Sequence, residues 1–325
     1  MALPVEVGLL ADAYYVSTAT HGATTANAVG ALWNSVPLDM SILEGWPIIA
    51  GPVLDTITQE QTASALMAGA YLQAQAEAQG FSLESLPVPT EFVTPTERSA
   101  YWNSYAVGAT LSAANYRGLA EVIARRIGLE ILMRTANSMV LDAGREAVQA
   151  GMTMTPTMVG YYRKLQTPSC DRCAVLAGAF YRWNEGFFRH PNCDCEHVPA
   201  ADYDDSLAFD SFAAIEAGQI TGLSKADTQA ILEDGADVNS VINAKRGMRH
   251  ADVFGERIKI TSEGTTRRSI AGARLIAEGG TGGRTTSGRY FVAQRMRLTP
   301  SEIYRQAGMD RELARRLLYK HGYVL

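Results

Sequence analysis

Residues 119–140 read LAEVIARRIGLEILMRTANSMV. Leu119, Val122, Ile123, Ile127, Ile131, Leu132 and Val140 recur there at three- and four-residue spacing, the repeat that lines one face of an α-helix. Upstream, Thr94-Pro95-Thr96-Glu97 has capping-box spacing, with proline at the first helical position, where its missing donor costs nothing. A long helical run to about Gly151 is predicted, split or bent by Gly108, Gly118, Gly128 and Gly144. This run makes the chain mainly α.

Working outward toward the N-terminus, Thr58-Gln59-Glu60-Gln61 repeats the capping-box spacing and opens a stretch of strong helix formers that stops at Gly80. Pro87 and Pro89 mark a linker. The first 52 residues are rich in Ala, Gly and Thr, with Leu9, Leu10, Tyr14, Tyr15, Leu32 and Trp33 as apolar anchors. Helices are expected near 5–16 and 24–34. Toward the C-terminus come an acidic stretch (Asp202, Asp204, Asp205, Asp210) and a short capped helix from Ser224 to about Leu232. Residues 245–298 read as strands and loops, including Arg257–Thr261 and Tyr290–Ala293. Between those two strands, Gly279–Gly288 lacks the lysine of a phosphate-cradling loop and reads as a flexible loop. The last 27 residues read as two short helices, the first opened by a third capping box, Thr299-Pro300-Ser301-Glu302. Asp310 caps the second, which ends before Gly322, and Gly308-Met309 forms the turn. The pair resembles a helix-turn-helix carrying Arg305, Arg311, Arg315, Arg316 and Lys320, candidates for DNA or partner contact. A docking hairpin is the commoner meaning of such a pair.

The chain has 325 residues, 47% of them hydrophobic, too many for a disulfide miniprotein or a disordered chain. Its 19% of charged residues lies below the usual ~25%, so part of the surface is expected to be small, neutral or covered by a partner. No apolar stretch approaches the ~20 residues that span a bilayer, and the start lacks a secretory pattern. A soluble protein of the cytoplasm, without membrane contact, is expected. The net charge of −5 hides segregation: residues 1–120 hold ten acidic and two basic residues, and 201–240 hold nine and one. Residues 241–325 reverse this with seventeen basic and seven acidic residues. A basic block on an acidic body suggests a polyanion, an acidic protein partner, or simply a solvated basic surface.

All four cysteines fall within 26 residues, as Cys170-Asp-Arg-Cys173 and then His190-Pro191-Asn192-Cys193-Asp194-Cys195-Glu196-His197. In a reducing compartment that clustering reads as a zinc site rather than as disulfides. Zinc takes four soft donors tetrahedrally, and two short knuckles supply them. Cys170, Cys173, His190, Cys193 and Cys195 are the candidate ligands, with Cys170 and Cys173 the firmest pair. Arg172, Arg182 and Arg189 stand close enough in sequence to offset a thiolate site. A filled four-ligand site is structural. The enzymatic alternative is a zinc nuclease using His197 or His190 as general base. No Gly-x-Ser-x-Gly elbow supports a hydrolase.

The same residues carry a resemblance. Ser169–Cys173, Leu176-Ala177-Gly178, Tyr181-Arg182 and Phe188-Arg189-His190-Pro191-Asn192-Cys193-Asp194-Cys195 resemble the Mu F-like minor head proteins of tailed phages. That family shows a Cys-x-x-Cys, a Leu-x-Gly step and a His-Pro-x-Cys-x-Cys segment after a long helical region. The likeness is strongest over about 155–200. It implies a low-copy protein inside the phage head, near the portal and with the major capsid or scaffold protein as further candidate partners. Head assembly, DNA packaging or DNA delivery is the implied work, with no settled enzymatic activity and residence in the host cytoplasm during assembly.

The expected architecture is therefore mainly α (long helices) with a small zinc-stapled α+β module and a mixed, basic C-terminal region. Its expected segments are 1–52, 53–155, 156–200, 201–240 and 241–325, with structural Zn2+ in the third and packaged DNA a candidate partner of the last. A sequence-specific DNA binder using residues 299–322 is a further, weaker alternative, because arginine-rich helices do not by themselves read bases.

Overall fold

The computed structural model describes residues 4–81, 83, 97–186, 194–278, 282–284, 291–293 and 295–325. Helices dominate, and the described chain forms two units. One comprises residues up to 166 together with 178–209, and the other 167–177 together with 210–325.

The first unit is built on four helices in chain order, α1 Val5–Asn34, α2 Ile42–Ala78, α3 Glu97–Asn115 and α4 Glu121–Thr153. Helix α1 is one element of 30 residues rather than the two expected. Between the expected pieces lie only Ser, Thr, His, Gly and Ala, with no proline to stop the helix. Thr18 and Thr20 donate their hydroxyls to carbonyls of the preceding turn. Gly22 stands where a Cβ would come within 2.4 Å of Asn137 and 2.5 Å of Leu141 on α4, so tertiary packing holds the weak segment helical.

Helix α2 also starts earlier than expected. Ser41 and Glu44 form the capping box at its head, and the helix continues through Pro47 and Pro52. Thr58 therefore lies inside it and donates its hydroxyl to the Leu54 carbonyl. The helix crosses the 52/53 division drawn from the sequence and ends before Gly80, whose φ of +80° suits glycine. The Pro87/Pro89 linker and the cap residues Thr94, Pro95 and Thr96 lie outside the described residues. Gly118, at φ +63°, separates α3 from α4. Gly128 and Gly144 do not split the helix; they lie within α4 at points of close approach. A Cβ on Gly128 would meet Thr110 Oγ1 at 2.0 Å, and one on Gly144 would meet Ser64 Oγ at 2.7 Å.

A three-stranded antiparallel sheet completes this unit, β1 Gly160–Lys164 flanked by β3 Phe180–Arg182 and β4 Glu196–Ala200. Its register places Arg163 opposite His197 and Lys164 opposite Glu196. Val7, Tyr14, Leu72, Val148, Met152, Tyr162 and Val198 share one buried cluster that joins α1, α2 and α4 to the sheet. A second cluster around Trp33, Ile49, Ile57, Val107 and Leu132 ties α3 to the same helices.

The second unit is made of short pieces. Strand β2, Ser169–Cys170, pairs in parallel with β5, Ile220–Thr221. Around them lie α5 Asp171–Leu176, α6 Ser211–Glu216, α7 Lys225–Leu232 and α8 Val238–Ala244. Then follow the hairpin β6 Met248–Val253 and β7 Glu256–Thr261, α9 Ile270–Ala277, the pair β8 Gly282–Arg284 and β9 Phe291–Ala293, and β10 Arg297–Leu298. Strand β10 pairs with β7, and α10 Pro300–Ala307 and α11 Arg311–Lys320 close the chain.

Three of the nine acids of the 201–240 stretch serve at the heads of α-helices: Asp210 caps α6, Asp227 completes the Ser224 capping box of α7, and Asp237 caps α8. Strands at 257–261 and 291–293 lie where the sequence reading put them, whereas α9, opened by Ser269, was not foreseen. Residues 282–284 of the expected glycine-rich loop are strand, and the rest of that loop is outside the described residues. The two terminal helices and their turn appear as read, with Asp310 as N-cap. The capping box expected at Thr299 does not form. Thr299 donates instead to the Lys259 carbonyl, and Glu302 accepts from the Lys259 amide and from Arg305.

Candidate functional site

Cys170 is the last residue of β2 and the N-cap of α5, and Cys173 lies three residues on, in the first turn. That spacing puts both side chains on one side of the helix. The turn is fixed from below. Asp171 is bound by the Lys245 ammonium, which also reaches the Gly222 carbonyl and stands 4.0 Å from Asp227. Gly222, at φ +88°, brings its backbone to within about a side chain's width of Asp171. The two sulfurs thus sit on a preset element, Cys173 buried and Cys170 half-buried, and offer half of a tetrahedral thiolate set.

The remaining candidate ligands divide. His190 and Cys193 lie outside the described residues. Cys195 belongs to the first unit, fully buried just ahead of β4, and its carbonyl accepts from Arg145 Nε at 2.9 Å. Among the described residues no three His, Cys, Asp or Glu side chains stand together as a metal site. Cys170, Cys173 and Cys195 form no disulfide with one another. His197 is 6% exposed, on β4, with its ring edge-on to Tyr161 at 4.4 Å and its carbonyl accepting from the Tyr71 hydroxyl. A general base for nuclease chemistry must meet water and substrate, and this ring is packed away from solvent.

Sequence reasoning missed the polar interior around that strand. Arg145, on α4, is 3% exposed, 3.4 Å from the buried Glu196 carboxylate and 3.2 Å from Asp142. Lys164 is paired with Asp12 of α1. Tyr14 donates to the Gly144 carbonyl and stacks on Tyr71 at 4.3 Å, and Gln75 donates to the Tyr71 oxygen. Burial, with Glu196 nearby, drives the Tyr14 hydroxyl far above its ordinary pKa, so it stays protonated and donates to the Gly144 carbonyl. The signal was present as charged residues in otherwise apolar strands, Arg163-Lys164 and Glu196-His197. Charges so placed must be paired. Here they pin the sheet to α1 and α4.

The basic residues of the terminal hairpin are mostly engaged. Arg305 lies 2.7 Å from Glu302 and 3.2 Å from Glu256. Arg311 and Arg315 converge on the buried Asp234, at 3.2 and 3.9 Å, and Tyr304 donates to the same carboxylate. Lys320 reaches Glu278 at 2.6 Å. Among the described residues only Arg316 of the five candidates has no ion pair. The pair of helices is thus docked within its own unit.

His321, at the end of α11, is buried and accepts the Leu298 amide at Nδ1. Burial, with Lys320 and Arg297 adding to it, lowers its pKa to about 4, so the ring is neutral. Arg297 is held beside it by the carbonyls of His321 and Glu263 and by the face of Tyr323, 4.2 Å away. Compared with family models, curated proteins and solved structures, the chain matches none.

Proposed function

We propose that the chain is a minor head protein of a tailed phage, of the Mu F-like kind, present in few copies inside the head and near the portal. The observation that carries this reading is the ordered set Cys170-x-x-Cys173, Leu176-x-Gly178 and His190-Pro191-x-Cys193-x-Cys195 after a long helical region. Four long helices before that segment agree with it. In this reading the protein acts by binding and assembly, with the portal, capsid or scaffold protein as partner and packaged DNA facing the basic region.

Structural zinc belongs to the same proposal. Cys170 and Cys173 would supply two thiolates of its ligand set. Bound zinc supplies folding free energy, roughly 10 kcal/mol or more for such a site. The chain's own part is to hold Cys170 and Cys173 in place through the Asp171–Lys245 contact. Elemental analysis of the purified chain is expected to give about one zinc per chain, and less than half of that in Cys170→Ser. Metal-free, fully folded protein would remove zinc from the proposal.

Quantitative mass spectrometry of purified, DNA-filled particles tests the main reading. A few to a few tens of copies per particle are expected, and complete absence from particles would overturn it.

A further inference from the structure

We infer that the β6–β7 hairpin, rather than the terminal helix pair, is the duplex-DNA contact of the basic region, an arm that lies in a groove with Phe254 as a wedge between bases. The inference rests on the reading in which the basic region faces DNA, and it assigns that contact to particular residues.

The hairpin register is continuous from Met248↔Thr261 to Val253↔Glu256. Six residues per strand give a ribbon about 20 Å long, and β-ribbons lie in either the major or the minor groove of duplex DNA. One face carries Arg249, Ala251, Val253, Glu256, Ile258 and Ile260, of which Ile258 and Ile260 are buried and Arg249 is exposed. The opposite face carries Met248, His250, Arg257 and Lys259, all exposed, with the exposed Asp252 opposite Arg257 and the buried Thr261 opposite Met248. Arg249, Arg257 and Lys259 form no ion pair among the described residues, in contrast to Arg305, Arg311, Arg315 and Lys320. Glu256 at the hairpin end is turned to Arg305. Three of the cations left available for phosphate are therefore on the hairpin, beside Arg246, Arg267, Arg268, Arg284 and Arg316 elsewhere in the unit.

Its tip is the second observation. Phe254 and Gly255 form the two-residue turn, with φ of +50° and +85°. A positive φ at both positions is the geometry that favours Asn-Gly and disfavours a bulky side chain. Phe254 is the one non-glycine residue with positive φ among those described, and it is fully exposed. The ring buries nothing in its own unit, while the turn around it is strained. An apolar side chain at the end of a basic ribbon fits the wedges that unstack base steps and bend duplex DNA.

The test uses the full chain and an end-labelled duplex of about 30 base pairs, with binding followed by anisotropy across a salt series and bending by energy transfer between the ends. Arg257→Glu/Lys259→Glu is expected to weaken binding more than tenfold and to lower the salt slope by about two. Phe254→Asn is expected to abolish bending while melting no lower than the parent. Arg316→Glu, the free cation of α11, is expected to change affinity less than twofold. Parent-like binding by the double variant, with the parent binding DNA in a salt-sensitive way, overturns the hairpin assignment and leaves the DNA-facing reading intact. No salt-sensitive binding by the parent overturns both. Unchanged bending by Phe254→Asn overturns the wedge.

Discussion

The two units reach order by different means. In the first, α1 and α4 start at Pro4 and Ala120 without any side-chain cap, and their helices are long and rich in Gly and Ala. Close backbone approach at Gly22, Gly128 and Gly144 and paired charges in the interior hold them. In the second, Asp210, Ser224, Asp237, Ser269 and Asp310 each accept a backbone amide at the head of a helix of six to ten residues. Helices that short are marginal without such caps and packing. The contrast is one of degree: α2 opens on the Ser41–Glu44 capping box although α1 and α4 have no side-chain cap, and α5 and α10 are short helices without one.

The largest break in this contrast is expected at Arg145. Arg145→Met removes the guanidinium from the buried Glu196 and should cost about 3–5 kcal/mol in urea unfolding. Arg145→Met/Glu196→Leu should recover most of it, and a double variant as unstable as the single one would rule out the ion pair as the cause.

A pH effect of about 3 kcal/mol is expected from His321 in the second unit. Its folded pKa, about 4, lies below the ordinary 6.5. The unfolded chain therefore binds the extra proton between these values. Stability is fully present above about 6.5 and falls as the pH drops toward 4. His321→Asn should flatten that slope in melts taken across the window, and an unchanged slope would assign the effect elsewhere.

Gly128→Ala forces a Cβ to within 2.0 Å of Thr110 Oγ1 and 2.8 Å of the Ala106 carbonyl, and is expected to cost about 1–3 kcal/mol. Gly108→Ala, with nothing within 4 Å, should instead stabilise by up to about 1 kcal/mol. Equal thermal shifts for the two would show that helix propensity, not close approach, governs the first unit. The smallest effect belongs to a single cap: Asp310→Ala should cost about 1 kcal/mol by freeing the Leu313 amide, and Asp310→Asn considerably less.

What was legible follows the same division. Helices α7 and α11 were readable because Ser224, Asp310 and Gly322 announce their ends locally. Helix α1 read as two pieces because Thr18, Thr20 and Gly22 are poor helix formers, and the residues that Gly22 packs against, Asn137 and Leu141, lie more than a hundred residues away. Thr299–Glu302 looked like a capping box because spacing alone cannot say that Lys259 will take both side chains. The Cys170–Cys173 turn was legible from spacing, whereas its support by Lys245 and Gly222 was not.

The sequence by itself determined the predominance of helix, the places where helices α7 and α11 begin and stop, the clustering of the cysteines and the segregation of charge. These are local properties of side chains and their order. Only the tertiary structure decided which charges are spent. Asp234, Glu278 and Glu302 bind the cations of α10 and α11, while Arg257 and Lys259 stay open to solvent. Electrostatic pairing depends on distance in space and on burial, and neither is written in the order of the residues.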